Sequence, residues 1–307
     1  MLKTIFRSAL LATLVLAAAA CNNDSSQSAG AKASGPEQTV QRSIALARDS
    51  DVAGLIQNSL PPEEFARIKA EWASEKDEAP VDDAARARFA ETMAKLTADD
   101  AAATLYKELE PDIRQFDAQY QKQMPTIVAM GRGYLKGLVQ QSNELSASEK
   151  EQASNIIEAL ATWVEKTRFT DPELVRKALE NVTATARELD LKTLDQARAM
   201  SFDESAPKMK IAFNGLKKVL DVYGFSINDT LDSVKTTLVS SEGDNAVVQL
   251  DYNLLGTPLQ ATTEMVRIDG RWYSKDTIEK LKARKAEARM SAPATPAEST
   301  EPATGEG

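Results

Sequence analysis

Apolar side chains change their spacing once along this chain. From Val40 to Tyr223 they recur about every 3.6 positions, and after Ser233 they alternate with polar residues. A 3.6 period lays one apolar stripe along a helix, whereas a period of two lays one apolar face along a strand, so neither pattern can stand in for the other. The expected fold is α+β: a mainly α-helical bundle, followed by a small helix and an antiparallel meander of three or four strands.

Helix starts are marked repeatedly. Ser59 precedes Pro61, Pro62, Glu63 and Glu64; Thr97 stands three before Asp100, Ser146 three before Glu149, and Thr170 precedes Pro172 and Glu173. Each pattern offers a side-chain oxygen or a fixed φ to a helix amino end. The stripes Ala153, Ile156, Ile157, Leu160, Trp163, Val164 and Val175, Ala178, Val182, Ala186, Leu189 follow two of these starts. Pro111 and Pro125 are expected to divide the middle into helices near 98–109, 112–123 and 126–142. In one more helix Phe213, Leu216, Leu220 and Tyr223 share a face, and Gly224 stops it.

Beyond Ser233 the chain reads SVKTTLVSS, the turn EGDN, AVVQLDYNLL, the turn GTP, LQATTEMVRI, the pair Asp269-Gly270 and RWYS. Ala246, Val248, Leu250, Tyr252 and Leu254 alternate cleanly, and Asp-Gly between two such runs signals a tight hairpin. One sheet face should be covered by the preceding helix or by the bundle, the other exposed. The expected division is a leader at 1–20, a flexible tether at 21–35, a helical domain at 36–200, an α+β domain at 201–275, a basic helix at 276–290 and a disordered tail at 291–307.

Chemistry is narrowed by what the chain lacks. There is no histidine and one cysteine among 307 residues. Serine–histidine and cysteine–histidine nucleophile pairs, imidazole zinc sites, internal disulfides and thiolate clusters are therefore excluded. No metal site or cofactor is expected, because calcium-loop spacing and a true phosphate loop are both missing. The segment MGRGYLKG is glycine-rich but lies within a helical period; Ala129, Gly133 and Gly137 at spacing four suit close approach of a neighbouring helix. The paired acids Glu63-Glu64, Asp82-Asp83 and Asp99-Asp100 suit helix amino ends.

The first twenty residues decide the compartment. Lys3 and Arg7 precede an apolar run from Ala9 to Ala20, directly before Cys21. Those twelve residues span about 18 Å as a helix, against about 30 Å of hydrocarbon, so the run reads as a secretory leader and not as a membrane span. The sequence LVLAAAAC resembles the lipobox of bacterial lipoproteins, with Ala18 where that family usually carries Leu. The resemblance covers about the first twenty-five residues. It implies thioether acylation of Cys21, removal of residues 1–20 and acylation of the new amino terminus, including palmitate-type chains. Asn22 after the cysteine implies sorting to the periplasmic face of the outer membrane.

Removing Lys3 and Arg7 with the leader leaves 35 basic against 46 acidic residues, a net charge of −11. Nucleic acid is thus not an expected partner. Lys280, Lys282, Arg284, Lys285 and Arg289 form a basic last helix, which reads as solvated and complementing its own dipole, with anionic headgroups as the other option.

The carboxyl-terminal aromatics Phe213, Tyr223, Phe225, Tyr252, Trp272 and Tyr273 read as core, or as the lining of an apolar pocket. The ending MVRIDGRWYS behind a hairpin and a helix resembles nuclear-transport-factor-like or cystatin-like α+β domains over about 70 residues, a fold that hosts both enzymes and binding modules. The leading expectation is a membrane-anchored, non-enzymatic interaction or structural module, with an envelope protein as partner. The alternative is a small-ligand-binding protein or enzyme whose cavity lies in 201–275, with Tyr252, Asp251 and Glu264 as its proton-transfer candidates, Tyr252 inward and the acids outward.

Overall fold

The computed structural model describes residues 35–74, 81–120, 122–143 and 145–291. The leader, Cys21 and nearly all of the tether, like the tail from 292 on, lie outside the described residues. The elements are α1 Pro36–Arg48, α2 Val52–Ser59, α3 Pro62–Ser74, α4 Asp83–Thr97, α5 Ala101–Tyr120, α6 Met124–Gln141, α7 Ala147–Lys166, α8 Pro172–Leu189, α9 Leu194–Ala199, α10 Phe202–Val222 and α11 Ile227–Asp232. Strands β1 Lys235–Glu242, β2 Asn245–Leu254, β3 Thr257–Ile268 and β4 Arg271–Ser274 follow, then α12 Lys275–Ser291. The fold is α+β, helices first and an antiparallel four-stranded sheet after them.

Local chemistry sets most boundaries. Ser146 caps α7 in a reciprocal capping box with Glu149, and Pro125 occupies the first turn of α6. At α8 the cap is Asp171, one residue after Thr170, which instead donates to Asp117 at 2.6 Å. Thr97 closes α4 and caps nothing; its hydroxyl donates to the Met93 carbonyl at 2.7 Å. Nor does Pro111 divide the chain: α5 runs through it from Ala101 to Tyr120. Pro111 is exposed, so the carbonyl it leaves without a donor can be hydrated and the ring meets no packed neighbour.

The sheet is a meander in the order β1-β2-β3-β4. Leu255-Gly256 joins β2 to β3 and Asp269-Gly270 joins β3 to β4; all four residues have positive φ, as two-residue turns matching the strand twist require. A register shift between Leu238 and Ser240 bulges β1. Along β2, Ala246, Val248, Leu250, Tyr252 and Leu254 are all buried, as the alternation requires. Their cover comes from α1, α7 and α11: Val40, Ile44, Ala47, Ala159 and Leu231 join Leu259, Ala261, Met265 and Trp272 in one core. At about 1.5–3 kcal/mol per fully buried aliphatic side chain, this layer is the main stabilising block.

Polar contacts tie α1 to the same face. Gln41 donates to Thr236 on β1 at 3.0 Å, Thr236 donates to Glu37 at 3.1 Å, and Arg48 pairs with Asp232 at 3.0 Å. At the carboxyl end of α1, where Arg48 also stands, the ammonium of Lys217 on α10, only 3% exposed, donates to the carbonyls of Ala47 at 2.7 Å and Arg48 at 2.8 Å. A cation suits that helix end, where the dipole is negative. Burial pulls the Lys217 ammonium below its usual range, opposed by the nearby Asp49 carboxylate.

Of the expected face of α10, Phe213, Leu220 and Tyr223 are half-buried and Leu216 is exposed, while Gly215 and Lys217, on other sides of the helix, are buried. Gly215 packs closely on α8: a Cβ there would fall 2.3 Å from the Thr185 hydroxyl oxygen and 2.5 Å from its methyl. Only glycine admits α8 at this distance, so α10 is packed on that side as well as on its apolar face.

Candidate functional site

Gly35, the first described residue, stands immediately before α1, whose Val40, Ile44 and Ala47 belong to the core that covers the sheet.

The three proton-transfer candidates do not converge. Tyr252 points into the core, 5% exposed, with Gln152 of α7 as the nearest polar neighbour of its hydroxyl. Burial pushes its phenol above the usual value, with Gln152 on α7 pulling less strongly the other way. Asp251 faces outward and accepts from Gln260 at 2.8 Å and Gln249 at 2.9 Å. Those two amides, Gln260 first, hold its carboxyl below the usual carboxylate range. Glu264 is exposed and accepts from Lys275 at 2.6 Å. In the register Asp251 faces Gln260 while Glu264 faces Val247, four positions away on β2, or about 13 Å along the strand. A carboxylate held ionised by two amides is a poor proton donor at neutral pH; its nearest titratable neighbour is Lys235, its register partner on β1, which also acts to lower it. A groove of about 320 Å³ does open beside Asp251, and Tyr252 contributes to its wall together with Ser233, Lys235, Asn253, Pro258, Leu259 and Gln260, while Glu264 lies outside it.

The aromatics divide into core and cluster. Tyr252, Trp272 and Tyr273 are buried. Trp163 of α7 donates from its indole to the Tyr223 carbonyl at 2.8 Å and meets Phe169 and Phe225 edge-on at 5.2 and 5.3 Å. These rings fill the seam between α7 and the end of α10, which is a packing role.

Two features escaped the sequence reading. Glu64, expected at the solvated start of α3, is 5% exposed and bound by Arg67 at 3.0 Å and by Lys285 of α12. Burial raises its pKa, but Lys285 and Arg67 outweigh it and leave the carboxyl below its usual range. The last helix is therefore fastened to the third through one of its cations. Sequence offered only the opposite charges, 221 positions apart, and no local signal to join them.

The second feature is α6. It packs along α7, where Arg132 reaches Glu158 at 3.3 Å and Glu165 at 2.7 Å and Lys136 reaches Glu158 at 3.3 Å. The close approach expected at Gly133 and Gly137 is not there: a Cβ at Gly131, Gly133 or Gly137 would meet nothing within 4 Å. On the side away from α7, Ile127, Met130, Tyr134 and Leu138 are exposed, Met130 to 71% and Tyr134 to 68%, and Leu135 is exposed on the flank. The spacing i, i+3, i+7, i+11 of Ile127, Met130, Tyr134 and Leu138 was visible in the sequence, but such a stripe ordinarily points inward.

Among the described residues no helix is long and apolar enough to cross a membrane, and no group of three or more Cys, Asp or Glu is placed to hold a metal ion. No family model matches this chain, and neither a curated protein nor a solved structure is similar to it.

Proposed function

We propose that this protein is a lipid-anchored protein of the bacterial envelope, held at the periplasmic face of the outer membrane through acyl chains on Cys21 and acting as a non-enzymatic docking or structural module. One observation carries the reading: the sole cysteine of the chain stands directly after LVLAAAA, where a lipoprotein leader is cut and its sulfur acylated. Each buried methylene contributes about 0.8 kcal/mol, so two or more chains hold the body at the bilayer while the body itself stays in water. Charge supports the same picture. A mature net charge of −11 keeps the body off nucleic acid.

Replacing Cys21 by Ser tests it. By mobility and membrane fractionation the wild-type chain is cut and sediments with the envelope, and the C21S chain is either left uncut or recovered in the soluble fraction; a C21S chain that is cut and still sediments like the wild type defeats the proposal.

A second reading has the groove beside Asp251 in its favour. Its volume of about 320 Å³ reaches the lower end of small-molecule sites. Native mass spectrometry of the protein extracted from the envelope decides between the two. A bound small molecule lost in D251A favours the ligand carrier, and an unliganded protein co-purifying with a stoichiometric envelope partner favours the docking module.

A further inference from the structure

The outward face of α6 is the feature that the core does not absorb. Taking 100° per residue, Ile127, Met130, Tyr134 and Leu138 lie within about 80° of one another, and Arg132 and Lys136 lie on the opposite side. Both cations are held there by Glu158 and Glu165 of α7. The apolar face is thus fixed outward by ion pairs behind it and is not free to roll inward.

The surroundings of this face differ in charge from the rest of the protein. Between Asp117 and Glu144 there are 26 residues without a carboxylate, the longest such run in the chain. With 46 acidic residues in 307, an average run of that length would hold about four. The same run carries Lys122, Arg132 and Lys136. The helix that bears the exposed apolar stripe therefore carries no carboxylate of its own, and the two that reach it, Glu158 and Glu165, sit on the face opposite the stripe, paired with Arg132 and Lys136. A partner protein with basic groups would gain nothing from that arrangement; a surface that is apolar beneath an anionic layer would.

Reach is satisfied as well. From Cys21 to Gly35 there are fourteen residue steps, at most about 50 Å of chain, so an acylated Cys21 holds the body within one or two helix lengths of the bilayer.

We infer that α6 lies on the surface of the bilayer, seating Ile127, Met130, Tyr134 and Leu138 at the boundary between headgroups and acyl chains. The Tyr134 ring places an apolar body in the chains and its hydroxyl among the headgroups, and the paired cations stay on the water side. The helix lies in the plane of the membrane and does not cross it, in keeping with its polar opposite face. This rests on the anchoring of Cys21: the acyl chains supply most of the affinity, and α6 sets which side of the body faces the lipid.

The test uses the full acylated chain reconstituted in vesicles of phosphatidylethanolamine with a minor fraction of phosphatidylglycerol. Acylation occupies the only native thiol, so M130C or S240C carries a single reactive cysteine for an environment-sensitive fluorophore. The label at position 130 is expected to shift to the blue and to be quenched by lipids brominated near the headgroup, while the label at Ser240, on exposed β1, stays in water. A second arm uses the unacylated C21S chain, in which the triple change M130S, Y134S and L138S is expected to weaken vesicle binding by about tenfold or more. Equal, unquenched signals at positions 130 and 240 on an acylated chain overturn the inference. So does a concentration-dependent dimer that the triple change dissolves, since a second copy then covers the face. The intact mass of the same samples reads the anchor separately: a bare Cys21 removes the anchor, and the C21S arm still decides whether α6 meets lipid.

Discussion

Gly215 and Gly133 stand in the interiors of two long helices, and their surroundings are opposite. At Gly215 the missing side chain lets α8 settle against α10, and Thr185 fills the space. At Gly133 the missing side chain admits nothing. The contrast extends to the regions around them. The block of α1, α10, α11 and the sheet is closed by buried aliphatics and by Lys217 at a helix end, whereas α6 holds to α7 through ion pairs and shows its apolar stripe outward. One chain thus contains a core built to exclude water and a helix built to meet something else. Glycine or an apolar stripe tells which face is special; only the neighbours tell what it is for.

The sharpest way to break this comparison is to remove apolar volume from each side. Leu250→Ala is expected to cost about 3 kcal/mol in chemical denaturation, because Leu250 is buried in the middle of the sheet core. Met130→Ala is expected to cost less than about 0.5 kcal/mol. Comparable losses would mean that α6 belongs to the same closed block.

Gly215→Ala follows in size. The added methyl meets the Thr185 side chain, and a loss of about 2 kcal/mol is expected, with Thr185→Ala in the same chain recovering part of it. Full tolerance of Gly215→Ala would show that α8 and α10 are not tightly apposed.

Lys217→Met removes the donor to two carbonyls of α1 and is expected to cost about 1–2 kcal/mol near neutral pH. Because the folded-state pKa lies below the unfolded one, the unfolded chain binds the proton more tightly. Stability from this group therefore rises with pH between the lowered value and the usual lysine value of about 10.4, and the variant lacks that rise. Glu64→Gln works in the other direction, at about 1 kcal/mol. Its folded pKa is lowered, so its contribution is present at neutral pH and fades as pH falls below about 4; wild type and variant should converge in acid. A gap that persists at low pH would separate Glu64 from its ion pairs with Arg67 and Lys285.

The smallest effect has the opposite sign. Gly133→Ala meets open space on an exposed helix and is expected to stabilise α6 by about 0.5–1 kcal/mol, read as slower amide exchange along the helix. A loss would reveal a close neighbour at that face.

Much of the architecture was legible in order. The four strands follow from alternation and the last turn from Asp-Gly, since burial of every second side chain leaves one register open to Ala246 through Leu254; the turn expected at GTP falls instead at Leu255-Gly256, and Thr257 and Pro258 pair within β3. Ser146 and Glu149 marked α7 because a capping box is local chemistry. Tertiary contact was not legible. Nothing local says that α1 covers the sheet, that Thr185 of α8 settles on Gly215, or that Lys285 reaches Glu64. Helix continuity through Pro111 was misread for a related reason: the cost of a proline depends on whether water can reach the carbonyl it strands. The candidate site fared likewise. Parity alone placed Tyr252 inward and Asp251 and Glu264 outward, but the separation of the acids along β2 came from register.

The most direct measurement is the mass of the amino-terminal peptide of the mature protein taken from envelopes. The account predicts a chain beginning at Cys21, heavier than the bare sequence by a thioether-linked diacylglycerol and an amide-linked acyl chain. A mature protein carrying an unmodified Cys21 thiol would contradict it.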